Sequence, residues 1–393
     1  MAIVKFVEVC EKIGSGATPR GGKEAYSDEG ISLVRSQNVL DFSFSSDGLV
    51  HINDEQAKKL KNVELHPDDV LLNITGDSVA RACIMDSSFL PARVNQHVAI
   101  VRGKKELVLN SYILYYLQWK KDYLLQLASA GATRNALTKG MIEQLDINLP
   151  SLTEQKRIVA VLDSIQQKIS VNKKINDNLY EMVNAYYTSL FKENDCEMTT
   201  VGNYAERIYS GGTPMTSNAA YWNGTFGWFS SGETRNRFVI STEKTITQAG
   251  IDNSSTKLAT KYDIVMASAG QGFTRGQTSM LLIDTYVNQS VIVIKSERNI
   301  LPYLFWNLAN RYDELRAISD SSSIRGSLTT KMIAAFEIPL AKAQSLQAFA
   351  DFAWSVIHQI ENNLLENERL TALRDSLLPK LMSGEIDVSD IQL

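Results

Sequence analysis

Residues 158–190 read IVAVLDSIQQKISVNKKINDNLYEMVNAYYTSL, and their apolar residues recur alternately four and three positions apart. This heptad spacing over about four and a half repeats predicts a long helix that packs against another helix. A second stretch, residues 349–381, shows the same spacing 191 residues later. Asparagine interrupts both seams at the same two places, Asn172 and Asn176 in the first and Asn363 and Asn367 in the second.

The midpoints of the two seams are residues 174 and 365. In an antiparallel pair, Asn172 would face Asn367 and Asn176 would face Asn363. Such a polar layer fixes register and orientation at some cost in stability, because any slip would bury unpaired amides against leucines. The alternative is that the asparagines lie on a solvated helix face. Since a helix of roughly 40 residues is about 60 Å long, the pair is predicted to be a rigid spacer.

Outside these helices the chain repeats itself. The matched segments, in order, are IGSGATP (13–19) and IYSGGTP (208–214), GDSVAR (76–81) and GQGFTR (270–275), VNQ (94–96) and VNQ (287–289), and TRNALTKGM (133–141) and IRGSLTTKM (324–332). Ordered matches along a whole half indicate an internal duplication. The glycine-rich turn that opens each half is therefore interpreted as a shared scaffold turn, with Gly16 matched to Gly211.

Each half is predicted to be an α/β (α+β) domain. Short β-rich runs such as ISLV (31–34) and VLLNI (70–74) are separated by turn residues. One amphipathic helix is predicted late in each half, at residues 111–127 and 301–315. The predicted architecture is two such domains alternating with two long helices that pair as an antiparallel coiled coil, with internal pseudo-twofold symmetry. The predicted boundaries are domains at 1–150 and 195–341, helices at 151–194 and 342–384, and a C-terminal tail at 385–393.

Composition places the chain among cytoplasmic proteins. There is no run of about 18 apolar residues, and the N-terminal stretch has acidic residues where a signal peptide needs an apolar core. The cysteines, Cys10, Cys83 and Cys196, are far apart and fit reduced thiols. A net charge of −4 argues mildly against an isolated nucleic-acid binder. Basic partner subunits would then supply the positive surface.

Motifs for catalysis are absent. No Gly-x-Gly-x-x-Gly opens a helix after a strand, no two prolines are adjacent, and neither Gly-Lys pair is followed by Ser or Thr. The histidines are scattered, without metal-ligand spacing. Asp69 and its match Asp263 are interpreted as turn residues that precede strands. The sequence thus predicts no catalytic residue, no cofactor and no metal.

Two longer phrases carry a resemblance to a known family. They are LPSLTEQKRIVAVLDSIQQKI (149–169), at the first junction of domain and helix, and LRDSLLPKLMSGEIDV (373–388), at the end of the second helix. With these phrases and the order domain, helix, domain, helix, the chain resembles a specificity subunit of a type I restriction-modification system over its whole length. The second helix start, LAKAQSLQAFADFAW (340–354), departs from the pattern.

The resemblance implies a non-catalytic protein that binds double-stranded DNA. Each domain would read one half of a bipartite target, and the helices would set the spacer and dock two methyltransferase subunits. Motor-nuclease subunits would join in the full complex, and no membrane is involved. The alternative is a two-headed adaptor on a coiled-coil spacer that binds a repeated protein or carbohydrate ligand.

The duplication also sorts candidate DNA-contacting residues. Residues identical in both halves cannot distinguish two different half-sites, so they are predicted to contact phosphates or to be structural, and the alternative for the arginines is an internal salt bridge. These pairs are Arg81 with Arg275, Arg134 with Arg325, and Ser36 with Ser231. Residues that differ in the same loops are candidates for base contacts: Arg35, Gln37, Asn38, Asp77, Ser78 and His97 in the first half, and Ser230, Glu233, Arg235, Gln271 and Thr274 in the second.

Overall fold

A computed structural model describes residues 2–19, 21–129, 135–191, 197–270, 273–321 and 326–391. The chain divides into two compact units. The first consists of Met1–Ile169 with Arg369–Leu393, and the second of Ser170–Glu368. Each unit therefore contains one α/β domain and a segment of both long helices. None of the described helices is long and apolar enough to cross a membrane.

The first half of the chain alternates short strands and helices before the first long helix. Its strands are β1 (Ala2–Lys5), β2 (Cys10–Ser15), β3 (Ile31–Val34), β4 (Val39–Leu40), β5 (Ser43–Phe44), β6 (Val50–Ile52), β7 (Val70–Asn73), β8 (Ala82–Ile84), β9 (Ala92–Val94), β10 (Val98–Gly103) and β11 (Asp146–Leu149). Its helices are α1 (Phe6–Val9), α2 (Asp54–Lys59), α3 (Asn110–Trp119), α4 (Lys121–Ser129), α5 (Lys139–Glu143) and α6 (Leu152–Leu190).

The second half repeats this succession. Its strands are β12 (Met198–Thr200), β13 (Ala205–Ser210), β14 (Trp222–Phe229), β15 (Phe238–Val239), β16 (Lys244–Ile246), β17 (Lys257–Ala259), β18 (Ile264–Ala267), β19 (Thr278–Leu281), β20 (Thr285–Val287), β21 (Val291–Ser296) and β22 (Glu337–Pro339). Its helices are α7 (Val201–Tyr204), α8 (Gln248–Asp252), α9 (Leu301–Asn310), α10 (Tyr312–Ser321), α11 (Thr330–Ala334) and α12 (Ala343–Ser383).

The main sheets of the two units share a common core topology. In the first unit one sheet has the order β2-β10-β7-β8, and in the second the corresponding order is β13-β21-β18-β19, with β15 added at the edge. The other main sheet contains one parallel pair in each unit, β3 with β9 and β14 with β20. The first strand of each half pairs antiparallel with the strand before the long helix. The predicted α/β class and internal duplication are confirmed.

The single amphipathic helix predicted late in each half is wrong in one respect, because two consecutive helices form. The breaks fall at Lys120 and Arg311, which are equivalent positions of the repeat. In the first half α3 is buried on all sides from Tyr112 to Gln118, whereas α4 buries only Leu124 and Ala128. The chain changes direction where a helix inside the core gives way to one on the surface. Neither break carries Gly or Pro, so no local signal marks it.

Segments of the long helices complete the core of each unit. In the first unit, Ile158 and Leu162 of α6 are buried with Leu381 and Met382 of α12. Val388 of the C-terminal tail is buried in the same core. In the second unit, Val183 of α6 and Phe349, Ala353 and Ile360 of α12 are buried around the fully buried Trp306 of α9.

The two long helices run antiparallel, as predicted. In the second unit, Asn172 Nδ2 donates to Asn367 Oδ1 at 2.9 Å, and Asn363 Nδ2 donates to Asn176 Oδ1 at 2.7 Å. All four side chains are buried. The pairs are those that the midpoints of the seams predict. Because these amides pair with one another inside an apolar seam, a shift of register would leave several polar groups unpaired.

The one arginine of the seams, Arg374, replaces an apolar residue and is accommodated within the first unit. Its Nη1 donates to Gln166 Oε1 of α6 at 2.8 Å, and its guanidinium lies 4.0 Å from the centre of the Phe42 ring. Asp375 accepts two further hydrogen bonds from it. The buried charge is therefore paired, stacked and hydrogen-bonded, which is the condition under which a buried arginine is tolerated.

We expect Asn176→Leu to lower the free energy of unfolding by about 1–3 kcal/mol, because Asn363 Nδ2 loses its buried acceptor. The double variant Asn176→Leu with Asn363→Leu should be less destabilised than the sum of the two single variants. Chemical unfolding of all three, arranged as a double-mutant cycle, measures this coupling. Asn178→Leu, at an exposed position of α6, is the control. Strictly additive losses would contradict the pairing.

Candidate nucleic-acid interface

In the first unit, the loops that contain the repeated segments lie together at one end of the sheet β2-β10-β7-β8. Buried Asn73, at the end of β7, organises them, because its Nδ2 donates to the carbonyl of Ser36 at 2.8 Å and its backbone pairs with Ala80 and Arg81. His97 joins the same group, with Nδ1 2.6 Å from Thr75 Oγ1. We name residues 35–38, 75–81, 96–97 and 135–137 the first loop cluster.

The second unit forms the same cluster from the matched positions. The carbonyl of Thr234 accepts a hydrogen bond from Ser279 Oγ at 3.2 Å. Ser268 connects the other loops, since its N–H donates to Ser290 and its carbonyl accepts from Leu328, each at 2.9 Å. We name residues 230–235, 268–270, 273–277, 289–290 and 326–328 the second loop cluster.

The two opening turns are part of the scaffold beneath these clusters. Gly16 N–H donates to the carbonyl of Asn95 at 3.0 Å, and Gly211 N–H donates to that of Asn288 at 3.2 Å. A Cβ atom would lie 1.8 Å from the Val94 carbonyl oxygen at Gly16 and 1.9 Å from that of Val287 at Gly211. Only glycine allows this approach.

The threonine of each turn is joined to the glutamine of each VNQ segment. Thr18 Oγ1 donates to Gln96 Oε1, and Thr213 Oγ1 donates to Gln289 Oε1. The two motifs that the sequence repeats most faithfully are therefore in contact with each other. This contact explains their repetition without any phosphate or metal ligand.

A second feature that both units share is a buried ion pair at the start of a central strand. Arg102 donates to both carboxylate oxygens of Asp69, at 2.6 and 2.7 Å, and Lys295 lies 3.2 Å from Asp263. Both aspartates also accept a backbone N–H three residues upstream. Burial raises the pKa of Asp263, although Lys295 opposes the shift. The turn role predicted for these aspartates agrees with this geometry.

Asn38 and Glu233 hold their loops together and are not available at the surface. Asn38 Oδ1 accepts the N–H of Arg35 at 3.0 Å, and Glu233 Oε1 accepts that of Ser230 at 2.8 Å. Both side chains are buried, and Glu233 also accepts the N–H of Glu243 at 2.8 Å. Two unlike residues thus cap the same turn, and their difference does not indicate a base contact.

Arg35 and Gln37 both donate to the loop at residues 47–48. Arg35 Nη2 lies 2.5 Å from the carbonyl of Gly48, and Gln37 Nε2 lies 3.2 Å from the same oxygen. Gln37 is exposed and Arg35 half-buried. Asp77 is also exposed, and Ser36 and Ser78 are partly exposed beside them. The first loop cluster therefore presents these side chains, apart from Asn38, at least partly to solvent.

The matched arginines Arg81 and Arg275 have different surroundings. Arg275 pairs with Asp320 at 2.8 Å and donates to the carbonyl of Gly326. Arg81 is partly exposed, and its guanidinium has no hydrogen-bond or ion-pair partner within the described residues. The repeat position that corresponds to Asp320 is Ser129, so the first half lacks the carboxylate. The salt-bridge alternative describes Arg275 and does not describe Arg81.

Other candidates of the second cluster lie at the surface. Ser230 and Ser231 are partly exposed, as is Thr274. Arg235 is exposed and pairs with Glu243. Arg134, Gln271 and Arg325 lie outside the described residues. Two surface residues of this region, Arg237 and Phe273, were not predicted, because neither matches a like residue in the first half.

The chain is similar to known proteins over nearly its full length. A model of the type I restriction modification DNA specificity domain matches residues 1–181 and 195–372. The HindI specificity subunit of Haemophilus influenzae is 19% identical, with 91% of this chain and 94% of that protein covered. The EcoR124I/EcoR124II specificity subunit of Escherichia coli is 26% identical, and the match spans only 51% of each chain.

A solved structure has the same fold. The S subunit of the type I restriction-modification system from M. genitalium aligns with a TM-score of 0.58 at 15% identity, covering 97% of this chain and 96% of that one. Together with the family match over both halves, this similarity shows which family the two repeated units belong to. The chain belongs to the type I restriction-modification DNA specificity family, and it is the non-catalytic DNA specificity component of such a complex.

We expect Gly16→Ala and Gly211→Ala each to destabilise the protein by about 1–3 kcal/mol, because the added methyl group overlaps a backbone carbonyl. Gly14→Ala is the control, since its Cβ would meet only Lys12 Cε at 3.8 Å. Thermal unfolding of the three variants tests this prediction. Equal melting temperatures for all three would contradict the scaffold role of the turn.

Proposed function

We propose that each loop cluster reads one half of a bipartite double-stranded DNA sequence and that α6 and α12 set the spacing between the halves. The observation that carries this proposal is the formation of the same cluster twice, from matched positions with unlike residues. A duplicated scaffold that differs at its exposed loops suits two half-sites of different sequence. We assign recognition to residues 1–150 and 195–341 and spacing to residues 151–194 and 342–384. The C-terminal tail at 385–393 is assigned to neither role.

Within the first cluster, Arg81 is the proposed phosphate contact. A guanidinium without an internal partner is available to a phosphate oxygen and gives a charge-assisted hydrogen bond. We assign Arg275 to the support of its own loop, because its charge is already matched by Asp320. Arg35, Gln37, Asp77, Ser78 and His97 remain the candidates for base contacts in the first cluster.

In the second cluster the proposed contacts include Ser230, Ser231, Arg235 and Thr274. Gln271 and the arginine pair Arg134 and Arg325 stay predictions from the repeat alone. Direct base readout needs side chains at the loop tips that carry donors or acceptors. The unlike pair Asp77 and Gln271 is the clearest example of a position matched in the repeat at which the two halves would differ in preference.

We further propose that two methyltransferase subunits dock on the long helices, that motor-nuclease subunits join the full complex, and that the complex acts in the cytoplasm. Support comes from α6, where Val171, Ile175 and Met182 are 50%, 40% and 45% exposed on one face of the helix. Their spacing places them on one stripe, about 90° around α6 from the buried seam. Basic partner subunits would also offset the net charge of −4 near the DNA.

Arg81→Ala is expected to weaken DNA binding by the assembled complex to a similar degree for all sequences. Loss of one phosphate contact should also lower the slope of log K against log salt concentration by roughly 1. Titrations at several salt concentrations, with the mapped methylation target and with random DNA, measure both quantities.

Arg275→Ala serves as the comparison, because it should lower the melting temperature and leave the salt slope within error. An unchanged slope in Arg81→Ala would remove Arg81 from the interface. Absence of salt-dependent DNA binding by the wild-type complex would contradict the proposed reading of DNA by the loop clusters.

Ile175→Gln is expected to reduce the amount of methyltransferase subunit that copurifies with this chain, because a polar amide replaces an apolar contact at the centre of the stripe. Lys173→Gln, which introduces the same residue on the other side of α6, should copurify normally. Affinity purification followed by mass measurement of the complex gives the stoichiometry. Normal recovery with Ile175→Gln would place the docking surface elsewhere.

A further inference from the structure

Phe273 is unusual for an apolar side chain in this protein. It lies in the loop between β18 and β19, and 83% of its surface is exposed, the largest value for a large apolar residue in the described ranges. Exposure of an aromatic ring forgoes the favourable free energy that its burial would contribute. A ring in this position adds no buried apolar surface to either hydrophobic core, so it does not stabilise the fold.

The backbone beneath the ring is anchored. Tyr312 Oη donates to the carbonyl of Phe273 at 2.7 Å, and Gly276 N–H donates to the carbonyl of Ala267 at 2.9 Å. Gly276 has φ of +85°, a conformation that favours glycine. The ring therefore projects from a loop whose base is tied to α10 and to β18.

The repeat provides an internal comparison. The residue matched to Phe273 in the first half is Val79, which is 3% exposed and belongs to the core of the first unit. The scaffold thus accepts a small buried side chain at this position. At this repeat position, a large exposed ring occurs in the second half and not in the first, so it reflects what this cluster contacts and not how the fold is built.

Two guanidinium groups and the carboxylate of Glu181 line the cleft beside the ring. Arg235, Arg237 and Phe273 line one cleft of the second unit. The side chains of Arg235 and Arg237 are 57% and 52% exposed, although each has a carboxylate neighbour. Arg237 also lies 4.2 Å from the ring of Tyr180, which holds its guanidinium in place. An apolar tip flanked by oriented guanidinium groups matches a base step flanked by phosphates.

We propose that Phe273 enters the base stack of the half-site read by the second unit and partly unstacks one base step. Apolar side chains used in this way act as wedges that distort the duplex, and basic neighbours hold the backbone on either side. The inference rests on the proposed function, since it assumes that the second cluster faces DNA. It adds that an aromatic wedge enters one half-site and not the other.

The test uses the complex assembled with its methyltransferase subunits and a duplex that carries 2-aminopurine at successive positions of the mapped target. Methyltransferases flip their own target base out of the duplex, so the positions next to the methylated bases are left out of the comparison. At the other steps, fluorescence with the wild-type protein is expected to rise at one step in one half-site. Phe273→Ala should abolish the rise and weaken binding roughly 5- to 100-fold, from the contribution of one aromatic stack. Phe273→Trp should preserve both. Met215→Ala, at another exposed apolar position of the same unit (65% exposed), should change neither.

The outcomes distinguish failure of the wedge proposal from failure of the proposed DNA-reading function. If Phe273→Ala binds and fluoresces like the wild type while Arg81→Ala binds more weakly, the wedge is wrong and DNA reading stands. If Phe273→Ala binds weakly but the wild type gives no fluorescence rise in either half-site, the ring contacts a groove and is not inserted, which also overturns the proposal. If the wild-type complex does not select its mapped target, the proposed function fails first.

Discussion

The hydrogen bonds between the buried amides of Asn172 and Asn367 and of Asn176 and Asn363 are the constraint on which the helical framework depends. Each long helix supplies apolar residues to the cores of both units, as Ile158 and Val183 of α6 do. An antiparallel pair of apolar seams alone would tolerate a slip of one heptad at modest cost. A slip here would bury several unpaired amide groups, so the asparagines trade some stability for a single register.

Some structural residues are identical in the two halves of the repeat, and others differ although they have the same role. Contacts that cannot vary, such as the glycine beneath the carbonyl of Val94 or Val287, recur because steric overlap leaves no alternative. Contacts that need only a charge or an acceptor vary in identity, as Arg102 and Lys295 do at the buried aspartates. The loops above this scaffold are free to differ, which is what a duplicated reader of two unlike sequences requires.

The loop clusters could be predicted from the repeat, but the roles of individual side chains within them could not. Asn38 and Glu233 differ between the halves as base-reading residues would, yet each uses its oxygen to cap a backbone N–H. Arg81 and Arg275 are identical, yet within the described part of the chain only Arg275 pairs with a carboxylate. The repeat does not single out Phe273 as a candidate, because its match in the first half is a valine. Burial and neighbours decide these roles, and they come from residues far away in the chain.

The sequence by itself determined the two-domain plan, the long helices, their antiparallel direction and the pairing of the asparagines, because heptad spacing and an internal repeat are local, periodic signals. Only the tertiary structure decided where the late helices break at Lys120 and Arg311, which loop residues are buried, and that Arg81 has no partner among the residues that the structure describes. These outcomes depend on packing between segments that are distant in sequence, and no local pattern encodes such packing.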